Sequence, residues 1–243
     1  MSRGNAKMPI FLDDTDYRQF VYLLGDVVEE FNIECLNYCG MPNHYHATLR
    51  PREPNFSDAM RRFNGNYALW WNKRHERVGH TFQGRFKDQI VQREGYLLTL
   101  TRYVVRNPVR ARLVERPEDW PWSSYRATAG LDSAPPFLAV SATLALFGEA
   151  DDHMLRRRFV EYVTGNDVNP TLEDRIRSNE RVLGDKAFKK VIRDAPKVDR
   201  SDALDPSAMP TDTTGETAPA DPNLDRERKI GAGPHTTIIE SQT

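Results

Sequence analysis

"GMPNHYHATLRP", Gly40 to Pro51, is the stretch on which the fold of this 243-residue chain turns. Gly-Met-Pro-Asn is a turn signal. The segment before it, Phe31-Asn-Ile-Glu-Cys-Leu-Asn-Tyr-Cys39, is apolar at 31, 33 and 35, and His44 to Arg50 follows it. Two strands joined by a short turn, a hairpin, are the expected structure. Strands send alternate side chains to opposite faces, so His44 and His46 share a face with Cα atoms roughly 6.6–7 Å apart. Imidazole nitrogens at that spacing can converge on one divalent cation, or make ordinary hydrogen bonds as a half-exposed pair. Two imidazoles do not complete a metal site, so a metal reading requires further ligands.

Working outward, Tyr17, Phe20, Val21, Leu24, Val27, Val28 and Phe31 recur at helical spacing, with Asp14 and Thr15 placed to cap. Downstream, Ser57 is placed to cap a helix whose Met60, Phe63, Tyr67 and Trp70 share a face. Residues 84–92 read as a third strand. Tyr96 to Arg106 reads as a third helix, closed by Asn107-Pro108 because the residue before proline resists the α conformation. The order helix–strand–strand–helix–strand–helix predicts an α+β fold, a ferredoxin-like antiparallel sheet with helices on one face. That plan needs a strand before the first helix, and only about ten residues precede that helix. The first strand is therefore expected to be shortened.

Tyr103 and Asn107 in "LTRYVVRNPVRARLV" are four apart, so a helix projects both from one face. They can deliver a phenolic oxygen and an amide ligand to one point, or serve as a core tyrosine and a helix-terminal cap. Leu97, Leu100, Thr101 and Val104 form the expected buried stripe, with Tyr103 and Asn107 toward its edge. Between residues 60 and 112 there are twelve basic and three acidic residues, a balance of +9 in a chain whose total is -1. Phe63, Tyr67, Trp70, Trp71, Phe82 and Phe86 are interleaved. Basic residues with aromatics suit phosphate contacts and base stacking. Taken together, these parts describe a His pair holding Mg²⁺ or Mn²⁺ against a scissile phosphate, Tyr103 attacking phosphorus, and arginines and lysines holding the strand.

Composition bounds the rest. The pI of about 6.6 gives no whole-chain signal for a polyanion partner. Cys35 and Cys39 on one strand lie roughly 13 Å apart, too far to bridge. No stretch approaches the roughly 20 apolar residues of a membrane span, and no signal-peptide pattern opens the sequence, so a cytoplasmic protein without a membrane partner is expected. In "DWPWSSYRA", which holds Trp120 and Trp122, "PWSSYR" reads as an aromatic plug over the core. From Ala195 the chain is mostly Asp, Pro, Thr, Ala, Ser and Gly, a composition that stays disordered. The expected organisation is a core at 1–115, a helical extension at 116–194 and a disordered tail at 195–243.

"RGNAKMPIF", "MPNHYHATLRP", "GHTFQGRFKDQIV" and "YLLTLTRYVVRNPVRARLVERPEDWPWSSYRA" together resemble the REP-associated tyrosine transposases, single-tyrosine members of the HUH transposases, from about Arg3 to Lys190. The resemblance implies a metal-dependent, single-stranded DNA endonuclease and strand transferase in DNA transposition. Such enzymes recognise hairpin DNA and cut it through a 5′-phosphotyrosine link that leaves a free 3′-OH. It implies a ferredoxin-like fold with the two histidines on a central strand and the tyrosine on a helix beside the sheet. By matching motifs, His44 and His46 are the metal pair, Asn107 the third polar ligand and Tyr103 the nucleophile. Arg61, Arg62, Lys73, Arg74, Arg85, Lys87, Arg102, Arg106 and Arg110 are the candidate DNA contacts. A nucleoid-associated location fits, and monomer and homodimer both stay open. Relatives carry more residues before "RGN", forming the first, central strand. A sheet short of that strand exposes edges, so the alternative is a hairpin-DNA-binding protein that does not cleave. A third reading is a phosphohydrolase using His44 and His46 without a covalent tyrosine.

Overall fold

The computed structural model describes residues 3–84, 86–92, 95–165, 174–176, 178, 180–194 and 236–239. Helix α1, Asp14–Glu30, starts one residue before the expected caps: the Asp13 carboxylate accepts from the Thr15 and Asp16 backbone N–H groups. Strands β1, Ile33–Met41, and β2, His44–Pro51, form the expected hairpin, with Met41 opposite His44. Helix α2, Phe56–Arg74, follows Asn55, so Ser57 lies inside the first turn and does not cap it. Strand β3 is shorter than expected, Asp88–Val91. Helix α3, Gly95–Val105, ends where expected, but the chain re-enters one more turn at α4, Asn107–Arg110, with Pro108 at its start, where a missing N–H costs nothing.

The sheet runs β1-β2-β5-β3-β4, with β4 at Val182–Leu183 and β5 at Thr236–Ile239. Every pairing is antiparallel except β3 with β4. β5 lies between β2 and β3, the place that a split βαβ plan gives to its first strand. Arg3 and Gly4 enter the same gap near its end, bridging His44 and Phe82. Most of the expected disordered tail, 195–243, lies outside the described residues. Thr236–Ile239 within it form a strand.

The alternation of β2 sorts its side chains. Tyr45, Ala47 and Leu49 join Phe20, Leu24, Met60, Phe63 and Tyr67 in the largest apolar cluster, so α1 and α2 cover that face. His44, His46 and Thr48 take the opposite face. There α3 packs with Leu97, Leu100, Tyr103 and Val104 against Leu36, Cys39 and Met41. The expectation of helices on one face holds for α1 and α2; α3 covers the other. Phe20 is 1% exposed and its ring meets those of Phe11, Tyr45, Phe63 and Tyr67. Phe20→Ala removes the shared centre of these contacts and is expected to cost about 3–5 kcal/mol, read by denaturant unfolding. A loss under about 1 kcal/mol would mean that the cluster repacks freely.

The segment after α4 seals the free side of β1. Gly40 N–H donates to the Trp122 carbonyl, and Ser124 N–H to that of Tyr38. Trp122 stacks on Tyr17 with centroids 4.7 Å apart, and Trp120 Nε1–H donates to the Gly40 carbonyl at 2.9 Å. This is the plug expected of "PWSSYR", joined by Trp120, and it protects a strand edge as well as the core. Helices α5, Tyr125–Ala129, α6, Val140–Leu144, and α7, Asp152–Thr164, gather a further cluster around Tyr125, Leu144 and Phe159. Helix α8, Lys186–Asp194, follows β4. Cys35 and Cys39 are free and buried. Among the described residues no helix is long and apolar enough to cross a membrane.

Candidate active site

The two imidazoles on β2 converge. His44 Nε2 lies 3.0 Å from His46 Nε2, and His44 Nδ1 lies 2.6 Å from Asn43 Oδ1. Asn43 Nδ2 donates to the Lys7 carbonyl at 3.2 Å, which orients the amide with its oxygen toward His44. The assigned tautomers follow: His44 carries its proton on Nδ1, and its bare Nε2 accepts from His46 Nε2–H. His46 Nδ1 is then bare, and it is buried with no hydrogen-bond partner among the described residues. Burial first, then the nearby Arg3 charge, pulls the His44 pKa from 6.5 to about 3. Burial, then the neighbouring His44 and more weakly Arg110, holds His46 well below its ordinary value. Both rings are therefore neutral at physiological pH, the form that a metal accepts. Ring proton shifts recorded by NMR from about pH 8 to 5 should stay flat for both rings. A midpoint near the ordinary 6.5 for either would contradict the burial argument.

The pair fits a divalent ion. Two ligands each about 2.1 Å from one ion and at right angles are about 3.0 Å apart, the separation seen. His46 would have to carry its proton on Nδ1, which nothing else occupies. Among the described residues no group of three or more His, Cys, Asp or Glu side chains gathers to hold a metal. Within the described residues, further ligands to the pair would be amide, water or phosphate oxygens.

Tyr103 meets this pair. Its ring stands edge-on to that of His46, centroids 5.9 Å apart. It is 4% exposed, inside the buried stripe and not at its edge as expected. The Arg110 guanidinium carbon sits 4.2 Å from the Tyr103 ring centroid, and Arg110 Nη1 is buried without a hydrogen-bond partner among the described residues. Asn107 Nδ2 donates to the Tyr103 carbonyl at 2.9 Å and the Val104 carbonyl at 3.3 Å. It caps α3, and its side-chain oxygen is the end left for a ligand.

A polar chain that sequence reading missed ties strand to helix. Thr48 Oγ1 donates to Asn37 Oδ1 at 2.7 Å, and Asn37 Nδ2 donates to Thr101 Oγ1 at 3.1 Å, all three residues being at most 1% exposed. Thr48 is two residues after His46, and Thr101 two before Tyr103. A bulge between Cys35 and Asn37 re-aims Asn37 onto the α3 face. Its only sequence signal is a polar residue in an apolar strand. Asn37→Leu strands both threonine hydroxyls and should cost about 1–3 kcal/mol, measured by thermal or denaturant unfolding; an unchanged stability would remove the bridge from the account.

The basic residues divide. Arg61 pairs with Asp58 at 3.0 Å, Arg62 with Glu30 at 3.0 Å, and Arg74 with Asp13 and Asp16 at 2.7 and 2.6 Å. These and the exposed Lys73 lie on α2, across the sheet from the histidine face. Arg102 is 2% exposed and donates to the Gly165 carbonyl, and Arg106 donates to the Val163 and Gly165 carbonyls. Arg102 thus corrects the expectation of a DNA-contacting cation: it ties α3 to the end of α7. Lys87 is exposed beside β3, Arg110 sits at the tyrosine, and Arg85 lies outside the described residues. The +9 balance is not one surface.

Residues 3–107, from the bridge at Arg3 through the histidine strand to Asn107, match the family described as "Transposase IS200 like". Over this segment the chain is similar to the IS200-like transposases. No curated protein and no solved structure matches the chain. Transposases act on DNA, so the match points to DNA as partner and to DNA cleavage as the class of reaction. The matched segment holds the histidine pair, Tyr103 and Asn107. It excludes Arg110 and everything that seals the β1 edge.

Proposed function

We propose that this chain cuts single-stranded, hairpin-forming DNA of the REP type through a covalent 5′-phosphotyrosine at Tyr103. The observation that carries the reading is the edge-on approach of Tyr103 to His46, whose Nε2 already faces that of His44. His44 and His46 would hold Mg²⁺ or Mn²⁺, with the Asn107 side-chain oxygen as third ligand. Such an ion, when bound, supplies positive charge to a phosphate at the site. The residues do the rest. Tyr103 Oη forms a bond to phosphorus and gives up its proton. The P–O3′ bond breaks, and the departing oxygen takes a proton to become a free 3′-OH. Arg110 supplies a cation and an unsatisfied N–H beside the tyrosine, suited to a phosphate oxygen. Rejoining reverses the same bonds with another 3′-OH as attacking group, which makes strand transfer.

Hairpin preference rests on the motif resemblance, and the exposed Lys73, Arg61, Arg62 and Lys87 are candidates for the outlying strand. A labelled hairpin oligonucleotide incubated with the chain and Mn²⁺ should yield a protein-linked product that withstands denaturing gels. The duplex form of the same sequence should yield none. Binding without any cut product would favour the non-cleaving alternative.

A further inference from the structure

β2 and β3 do not pair with each other. Ala47, Thr48 and Leu49 stand opposite Ile239, Ile238 and Thr237, which stand in turn opposite Asp88, Gln89 and Ile90. With neighbours about 4.8 Å apart, β2 and β3 are separated by about 9.6 Å, one strand's width more than a pair. Without an occupant, two rows of backbone N–H and C=O groups would face each other in mid-sheet, too far apart to bond. The slot also has a fixed polarity, since its occupant runs antiparallel to both walls.

The chain enters the slot from two sides. Arg3 bridges His44 and Gly4 bridges Phe82, both antiparallel. Gly4 N–H donates to the Asn43 carbonyl at 2.9 Å, and Gln83 N–H to that of Arg3 at 2.8 Å. This closes the end of the slot beside His44. The stretch beside Ala47 to Leu49 is taken by Thr236-Thr-Ile-Ile239, four consecutive β-branched residues, the type that favours strands. Residues 195–235, forty-one in number, separate this segment from α8. Forty-one residues can reach at most roughly 3.3 Å each, far more than the width of the sheet, so the connection is long enough for the chain to return to it.

We propose that the gap between β2 and β3 is a strand-acceptor site, and that Thr236–Ile239 of the same chain is the strand it takes. The C-terminal region then completes the sheet beside Ala47, the residue after His46. It backs Thr48, the first link of the polar chain to Tyr103's helix. This assignment concerns backbone pairing and stands whether or not the tyrosine reading does.

Hydrogen exchange on the full-length chain, read by mass spectrometry, tests it. The amides of 237–239 should exchange at least about 100-fold more slowly than in an unstructured peptide. Ile238→Pro removes a ladder N–H from mid-segment. In this full-length variant, protection should be lost at 237–239 and should fall at 47–49 and 88–91. Unprotected amides at 237–239 in the wild-type chain overturn the proposal, as does unchanged exchange at 47–49 in the variant. Should the variant not fold, the wild-type exchange decides alone. Protection that vanishes on dilution, along with a dimer seen by native mass spectrometry, assigns the slot to a second copy's tail and overturns the same-chain assignment.

Discussion

Tyr103→Phe is expected to abolish covalent attachment to DNA and to lower strand cleavage by at least about 10³-fold. The substitution removes one oxygen and keeps the ring that packs with Leu36, Cys39 and Leu100 and meets His46 and Arg110. Folding should therefore be little changed, and hairpin binding should persist, because the cations and the sheet are untouched. This separates the three chemical readings. A phosphohydrolase that activates water at His44 and His46 would keep its activity in the phenylalanine variant. A non-cleaving hairpin binder would show no activity to lose. Only the tyrosine mechanism predicts an active parent and a well-folded, binding-competent, inactive variant. Cleavage by Tyr103→Phe at near the parent rate would falsify it.

His46→Ala is the second large effect. His46 is 1% exposed and supplies one of the two converging Nε2 atoms. Its removal halves the imidazole pair and should lower divalent-dependent cleavage by about 10²-fold or more. Raising the Mn²⁺ concentration should recover part of the loss if the residual site is His44 with Asn107. Hairpin binding measured without divalent ions should change little, because neutral, buried His46 contributes no cation to phosphate. Equal cleavage by parent and variant at all metal concentrations would remove the histidine pair from the chemistry.

The hairpin and the helices were legible because their signals are local. "GMPN" is a turn in any context, and the apolar spacing of α1 and α2 has the helical period. The meeting of His46 with Tyr103 was legible at one remove, since alternation puts both histidines on one face and the α3 stripe must lie against some face. What escaped depends on contacts distant in sequence. The bulge at Leu36 shifts the phase of β1, so Asn37 points toward Thr101, and nothing in "NIECLNYC" announces it. Arg102 looks like its basic neighbours in sequence, yet it is buried against the end of α7. The split of the basic residues between two faces follows from packing α2 and α3 on opposite sides. "TTII" was hidden by its setting, a polar tail whose composition argues against order, while the slot that accepts it is formed by strands more than a hundred residues earlier.

The measurement closest to the central claim is the identity of the residue that carries the DNA. The full-length chain, reacted with a hairpin oligonucleotide and Mn²⁺, digested and sequenced by mass spectrometry, should show the nucleotide adduct on the peptide containing Tyr103, joined through a 5′ phosphate. An adduct on another residue, or cut DNA with both ends free of protein, would contradict the account.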